Sequence, residues 1–244
     1  MKRAPRLHFS FRSPFSWMAV ERLRSVVPDA LRRIEFVPYW DPDPVTERLL
    51  AQRGAEFHYV QMSKAKHLYI LHDTKRLARR LGLPMRWPID RDPWWEVPHL
   101  AWLLARRLGA AEEFYSAVVA ARWEQGRDVC QPDAIRELAV SMGLDSERLG
   151  CATEDPEIRA EAVDCLVAAY EDDIFGVPYF RFGRHRFWGF DRVDDFLAEY
   201  LPLLRVNGSA PVDRRPASVG GPGVPGELRS RVGTYDTDTA GGCG

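Results

Sequence analysis

Ser13 and Ser16, in the run Ser13-Pro14-Phe15-Ser16, have the spacing of a redox cysteine pair but carry hydroxyls. Serine followed by proline marks a helix N-cap with proline at the first helical position. Several backbone N–H groups lack partners there, and the positive end of the helix dipole favours an anion by about 0.3–1 kcal/mol when exposed and up to about 2 kcal/mol when partly buried. A thiolate suits that place, and a hydrogen bond from the Ser13 hydroxyl would lower the pKa of a bound thiol further. Neither serine can exchange disulfides, so the sulfur has to come from a bound cofactor. A plain N-cap is the other, more common use of such a serine.

Two more stretches could complete such a site. Gly176-Val177-Pro178 enters a strand-like run. A cis proline there would leave the N–H and C=O of Val177 to pair with an extended, peptide-like ligand, whereas an edge-strand proline is the ordinary alternative. Trp188-Gly189-Phe190-Asp191-Arg192 leads into the last helix, where Asp191 either holds a ligand's ammonium group or caps the helix. Cys130, Cys151, Cys165 and Cys243 show no C-x-x-C or metal-ligand spacing, which points to neither a disulfide framework nor a metal site.

The elements that must position these residues follow from periodicity. Arg6 to Arg12 alternates polar groups with Leu7, Phe9 and Phe11 and predicts a half-buried strand. Phe15, Met18, Ala19, Leu23 and Val26 recur at helical steps, and Arg33 to Tyr39 reads as a second strand, parallel to the first by right-handed crossover. Helices are predicted over Thr46–Arg53, His58–Leu81, Pro98–Leu108, Ala111–Gln125, Gln131–Met142 and Asp155–Glu171, with breaks at Gly or Pro. Two short strands around Gly183 and a helix from about Asp191 follow. The pattern β-α-β plus β-β-α predicts an α/β, thioredoxin-like domain of residues 1–40 and 173–205, interrupted by an all-helical insertion of residues 41–172. Residues 206–244 lose all apolar periodicity and are expected to form a disordered tail.

With 244 residues, 45% of them hydrophobic, the chain can bury a full core. A formal net charge of −1 gives no field for nucleic acid or an anionic membrane surface. The N-terminus has no apolar signal core and no span has membrane length, so a cytoplasmic protein acting on a small molecule is expected.

Four blocks, in their order and spacing, resemble the family of 2-hydroxychromene-2-carboxylate isomerases and kappa-class glutathione transferases, a DsbA-type branch of the thioredoxin fold with a helical insertion. They are F-S-F-R-S-P-F-S-W from Phe9; Lys66, Tyr69, Asp73, Arg76, Gly82 and Pro84; F-G-V-P-Y-F from Phe175; and F-W-G-F-D-R from Phe187. The resemblance implies that Ser13 contacts the cofactor sulfur with Pro14 and Phe15 beside it, that Val177 before a cis Pro178 binds the cofactor backbone, and that Phe190 and Asp191 hold its γ-glutamyl end. It also implies a homodimer. The chain departs from the family at Ser10, where an acidic residue is usual, and at Arg53-Gly54-Ala55-Glu56-Phe57, where a Gly-Asn-x-Pro-Pro-like segment helps hold glutathione. The thiol implied is therefore glutathione or another low-molecular-weight thiol such as mycothiol, with no metal.

For isomerase members the implied chemistry is reversible thiol addition to an α,β-unsaturated, aromatic or polyene carbonyl compound, which allows cis–trans isomerisation. Such a reaction needs an activated nucleophile, donors for developing enolate charge and a dry aromatic pocket. Candidate walls are Phe15, Trp17, Trp94, Trp95 and Tyr179, and candidate contacts for an enolate or carboxylate are Lys64, Lys66, Tyr69 and Arg76. Trp17 on a helix could equally be core, and Lys66, Tyr69 and Asp73 at helical spacing a structural cluster. An S-transferase would use the same site, and a non-catalytic accessory protein could keep the fold and use its groove to hold a ligand.

Overall fold

The computed structural model describes residues 4–58 and 62–206. Strand β1, Arg6–Phe9, lies inside a four-stranded sheet of order β2-β1-β3-β4. It pairs in parallel with β2, Glu35–Pro38, with Leu7 opposite Phe36. On its other side it runs antiparallel to β3, Tyr179–Phe182, with Leu7 opposite Phe180. Strand β4, His185–Trp188, completes a hairpin across Gly183, whose φ of 59° is a conformation that glycine adopts without Cβ strain.

The parallel β1–β2 pair needs a crossover, supplied by helix α1, Pro14–Val26, and a short α2, Ala30–Arg33, that the periodicity did not indicate. The expectation of a half-buried β1 needs correction. Leu7, His8 and Phe9 are all buried, because a central strand is covered on both faces. Burial foremost, with Arg6 and Arg181 adding, pushes the His8 pKa down to about 3 and keeps the ring neutral. The strand also stops at Phe9, and Phe11 lies in the turn beyond it.

Between β2 and β3 the chain is helical: α3 (Pro44–Gln52), α4 (Lys64–Leu81), α5 (Glu96–Arg107), α6 (Ala111–Val119), α7 (Pro132–Ser141), α8 (Ser146–Gly150) and α9 (Pro156–Glu171). Caps decide the bounds that periodicity misplaces. Asp43 accepts from the N–H groups of Val45 and Thr46, so α3 starts earlier than expected, and Ser63 accepts from Lys66 so that α4 starts later. The predicted 111–125 helix divides at Ala120–Glu124, a π-helical turn, and α8 was not anticipated. After β4 a 3-10 turn, Phe190–Arg192, precedes α10, Val193–Val206, so the last helix begins after Asp191. The expected tail lies outside the described residues apart from Val206, which ends α10.

Phe9 anchors the core, its ring edge-on to Trp102 of α5 at 5.1 Å and to Tyr115 of α6 at 5.4 Å. Phe180 stacks on Phe196 of α10 at 4.6 Å, so one apolar cluster joins the sheet to helices on either side of it in sequence.

A buried carboxyl ties the loop after β2 to α5. Glu96 accepts from the indole N–H of Trp40 at 2.6 Å and the backbone N–H of Asp43 at 2.8 Å. Burial outweighs these donors and pushes its pKa from 4.5 up to about 7. A raised carboxyl pKa means that the folded state holds the proton more tightly, so this stabilising contribution is complete below the unfolded value and lost as pH rises through the folded one. Wild-type protein is therefore expected to lose up to about 3 kcal/mol between pH 5 and 8 through this group. Denaturant titrations across that range should show a flatter profile for Glu96→Gln.

Candidate functional site

Ser13 caps α1 from an extended conformation, φ −90° and ψ 115°, and its Oγ accepts from the N–H of Ser16 at 3.1 Å. The hydroxyl hydrogen has no acceptor among the described residues. The N–H of Ser13 donates to the carbonyl of Ser10 at 3.1 Å, and the N–H of Ser10 to Ser16 Oγ at 3.3 Å. Ser10 Oγ accepts from the N–H of Arg12 at 3.2 Å.

His99, which sequence reasoning missed, completes this turn from α5. Its Nε2 accepts from the N–H of Phe11 at 3.1 Å and lies 3.4 Å from Ser10 Oγ, while Nδ1 sits 2.7 Å from the carbonyl of Trp95. Those partners assign the neutral tautomer with the proton on Nδ1. Burial, partly opposed by the Trp95 carbonyl, drives the His99 pKa down to about 3. A single histidine between apolar residues on a helix carries no sequence signal for this role.

Across from the start of α1, the Val177–Pro178 bond is cis, as the sequence reading allowed. The N–H and C=O of Val177 have no hydrogen-bond partner among the described residues, whereas the Pro178 carbonyl accepts from Gly189 at 2.9 Å. Phe15 and Arg22 of α1, Asp73, Leu77 and Arg80 of α4, Val177-Pro178 and the Trp188–Asp191 segment enclose a cleft of about 730 Å³. That volume suits a ligand the size of a small peptide. Asp191 is exposed at the rim beside Arg192, at 3.4 Å, and makes no capping bond, which leaves its carboxylate turned to the cleft rather than spent on the helix.

A second cavity of about 240 Å³ lies on the Pro14 side, walled by Arg12, Pro14, Asp41, His67, Trp87 and Trp95 among others. Pro14 and Phe15 thus line different cavities, and Ser13, which precedes both in the chain, is fully buried and lines neither.

The other candidates fall elsewhere. Trp17 is core, stacked on Trp123 at 6.2 Å, and Tyr179 is buried edge-on to Phe175. Neither lines these two cavities. Lys64, Lys66, Tyr69 and Arg76 also lie outside both. Helix α4 buries Ile70, Thr74 and Ala78 and turns Asp73 and Leu77 to the cleft, while Lys64, Tyr69 and Arg76 are exposed. Arg76 pairs with Asp73. Trp94 is exposed and donates to Asp43 at 3.2 Å, so of the tryptophan pair only Trp95 reaches a cavity. The Arg53–Phe57 stretch lines neither.

A model of the DsbA-like thioredoxin domain matches residues 6–201. The chain belongs to the DsbA-like thioredoxin family. It is also 29% identical over 197 residues, 80% of this chain and 95% of the relative, to a 2-hydroxychromene-2-carboxylate isomerase of Sphingobium xenophagum. The solved structure of a 2-hydroxychromene-2-carboxylate isomerase superposes with a TM-score of 0.67 at 22% identity, over 83% of this chain and 97% of that one. Cytosolic disulfide reductase DsbM from Pseudomonas aeruginosa, solved with GSH, superposes with a TM-score of 0.53 at 17% identity, over 82% and 98% of the two chains. This DsbA-like chain carries serines at Ser13 and Ser16, and its described cysteines form no disulfide. Burial pushes the Cys165 thiol up to about 11 and that of Cys130 higher still, so neither is a ready thiolate. Among the described residues no cluster of His, Cys, Asp and Glu could hold a metal ion, and no helix is long and apolar enough to cross a membrane.

His99→Leu is expected to leave the buried Phe11 N–H without an acceptor and to cost about 1–3 kcal/mol of folding free energy in urea titrations. His99→Gln, which can still accept, should recover part of that loss.

Proposed function

We propose that the protein is a thiol-dependent isomerase that interconverts cis and trans forms of an α,β-unsaturated, conjugated carbonyl compound, with glutathione as the bound thiol. The observation that carries this reading is the first turn of α1, which begins behind the buried Ser13 cap and presents Phe15, facing an unpaired backbone edge at cis Val177-Pro178 across one cleft. The N–H and C=O of Val177 would take a cysteinyl backbone as an added strand. Asp191 would hold the γ-glutamyl ammonium. Arg80, which lines the cleft and has no ion pair among the described residues, would take a carboxylate. Mycothiol, a sugar thiol without free ammonium or carboxylate, would leave Asp191 and Arg80 unused.

When bound, the thiol supplies a nucleophile that adds to one carbon of the double bond and leaves again after rotation, so none is consumed. The chain's part is to hold the sulfur anionic. The Ser13 hydroxyl, with a hydrogen to donate, and the α1 N-terminus both favour the thiolate. Phe15, Pro178 and Trp188 exclude water around it. The relative's name supports an isomerase, and the DsbM structure with GSH supports a thiol on this fold. The reading fits a cytoplasmic enzyme, where free thiols stay reduced.

Purified protein should accelerate isomerisation of an aryl enone or polyene acid when glutathione is supplied, with mycothiol less effective. Undiminished activity in thiol-free buffer would overturn the reading, and release of a stable thioether would favour transfer over isomerisation. Ser13→Ala should lower kcat by about tenfold to a hundredfold, the worth of a hydrogen bond to a charged group.

Gly189 has φ 101°, and a Cβ there would stand 2.7 Å from Asp191 Oδ1. Gly189→Ala is thus expected to push the carboxylate aside and weaken glutathione binding about tenfold by calorimetry.

A further inference from the structure

The cleft bounded by α1, α4 and cis Val177-Pro178 has an open backbone edge, and the chain itself carries a segment that fits it. None of the described cysteines lines this cleft, and burial keeps Cys130 and Cys165 protonated. Cys243, outside the described residues, is the one thiol that the fold does not already place away from it. It stands in Gly241-Gly242-Cys243-Gly244, so Cys243-Gly244 repeats the cysteinyl-glycine unit of glutathione. The flanking glycines carry no Cβ, which lets an extended backbone approach Val177 closely in a cleft walled by Phe15, Pro178 and Trp188.

Reach and charge both favour this pairing. Val193 and Asp194 line the cleft and open α10, whose 14 residues span about 21 Å. Cys243 lies 37 residues beyond Val206, where α10 stops. A random coil of that length would span about 35 Å root mean square and at most about 120 Å, more than the return path needs. Such a tether gives an effective concentration on the order of millimolar. Helix α4, one wall of the cleft, carries six Lys or Arg residues against the single acid Asp73. Of these, Lys75, Arg79 and Arg80 are exposed and have no ion pair among the described residues, and Arg80 lines the cleft. The stretch from Val232 to Gly244 holds Asp236 and Asp238 and no Lys or Arg. Opposite charges at the rim therefore draw this stretch toward the cleft.

We propose that Gly241-Gly242-Cys243-Gly244 folds back as a tethered occupant of the cleft, its backbone paired with the N–H and C=O of Val177 as an added strand and Asp236 and Asp238 over the α4 cations. Cys243 then takes the place of the cofactor's cysteinyl residue, and free thiol enters by displacing it. The inference rests on the reading of this cleft as a thiol site, because segment and glutathione compete for the same backbone edge. The device regulates that site: it covers the cleft when free thiol is scarce and yields when free thiol is abundant.

The test uses the full chain, with a phosphine reductant in place of thiols so that Cys243 stays reduced. Hydrogen exchange at the Val177 amide is expected to be about tenfold slower in the wild type than in Cys243→Ala. By calorimetry, Cys243→Ala should bind glutathione about tenfold more tightly than the wild type, and raised salt should narrow that gap. A peptide of residues 232–244, acetylated and amidated, should bind the Cys243→Ala protein and be displaced by glutathione, whereas the same peptide with alanine for its cysteine should bind at least tenfold more weakly. Equal glutathione affinity in the two proteins, with unchanged exchange at Val177, overturns the inference and leaves the glutathione reading standing. Protection of Val177 that depends on Cys243, in a protein that binds no glutathione, overturns that reading and leaves the tethered segment in place.

Discussion

Buried backbone N–H groups need acceptors, and the turn from Ser10 to Ser16 depends on that requirement. Once β1 ends at Phe9, the chain runs through a bend in which Ser10, Phe11 and Ser13 are buried before α1 can begin. The Ser10 carbonyl, Ser10 Oγ, Ser16 Oγ, Ser13 Oγ and His99 Nε2 each take one of the N–H groups there. The acceptors come from short hydroxyl side chains and one neutral imidazole, so the turn carries no buried charge. Its geometry therefore persists across the pH range in which His99, with its pKa down at about 3, stays unprotonated.

That rigid turn is what lets consecutive residues serve different surfaces. Phe15 faces the cleft toward cis Val177-Pro178, Pro14 and Arg12 face the aromatic cavity, and Ser13, buried and lining neither, keeps one hydrogen still to give. The same helix start would suit a cysteine thiolate in a disulfide enzyme. Hydroxyls at Ser13 and Ser16 keep the electrostatics of that helix start but cannot exchange disulfides.

Support for the turn comes from the helical region between β2 and β3. His99 reaches it from α5, and the Trp95 carbonyl that fixes the His99 tautomer begins the same helix. Trp40 stacks on His99 at 5.1 Å and donates to Glu96, so the hydrogen bonds of the buried carboxyl and those of the imidazole and serine turn meet at one stacked ring pair inside an aromatic core. Removing one member leaves its partners buried and unsatisfied, which costs more than the bond itself contributes.

Local signals in the sequence determined much of this protein. Ser13-Pro14 announced the cap, the β-α-β and β-β-α periodicities announced the sheet, and Gly176-Val177-Pro178 with Gly189-Phe190-Asp191 announced the far wall of the cleft. These are effects of neighbours along the chain, carried by caps, turns and alternation. Only the tertiary structure decided which cations and aromatics meet the site. Lys64, Tyr69 and Arg76 looked suitable by type, yet the face that α4 buries turns them outward, and Trp17 went to the core because its helix packs that face inward. His99 and Arg122 lie far along the chain from Ser13, and long-range packing alone brings them to its turn and to the cavity beside it. Side-chain type shows what a residue can do, whereas packing fixes what it touches, and that depends on contacts no local pattern encodes.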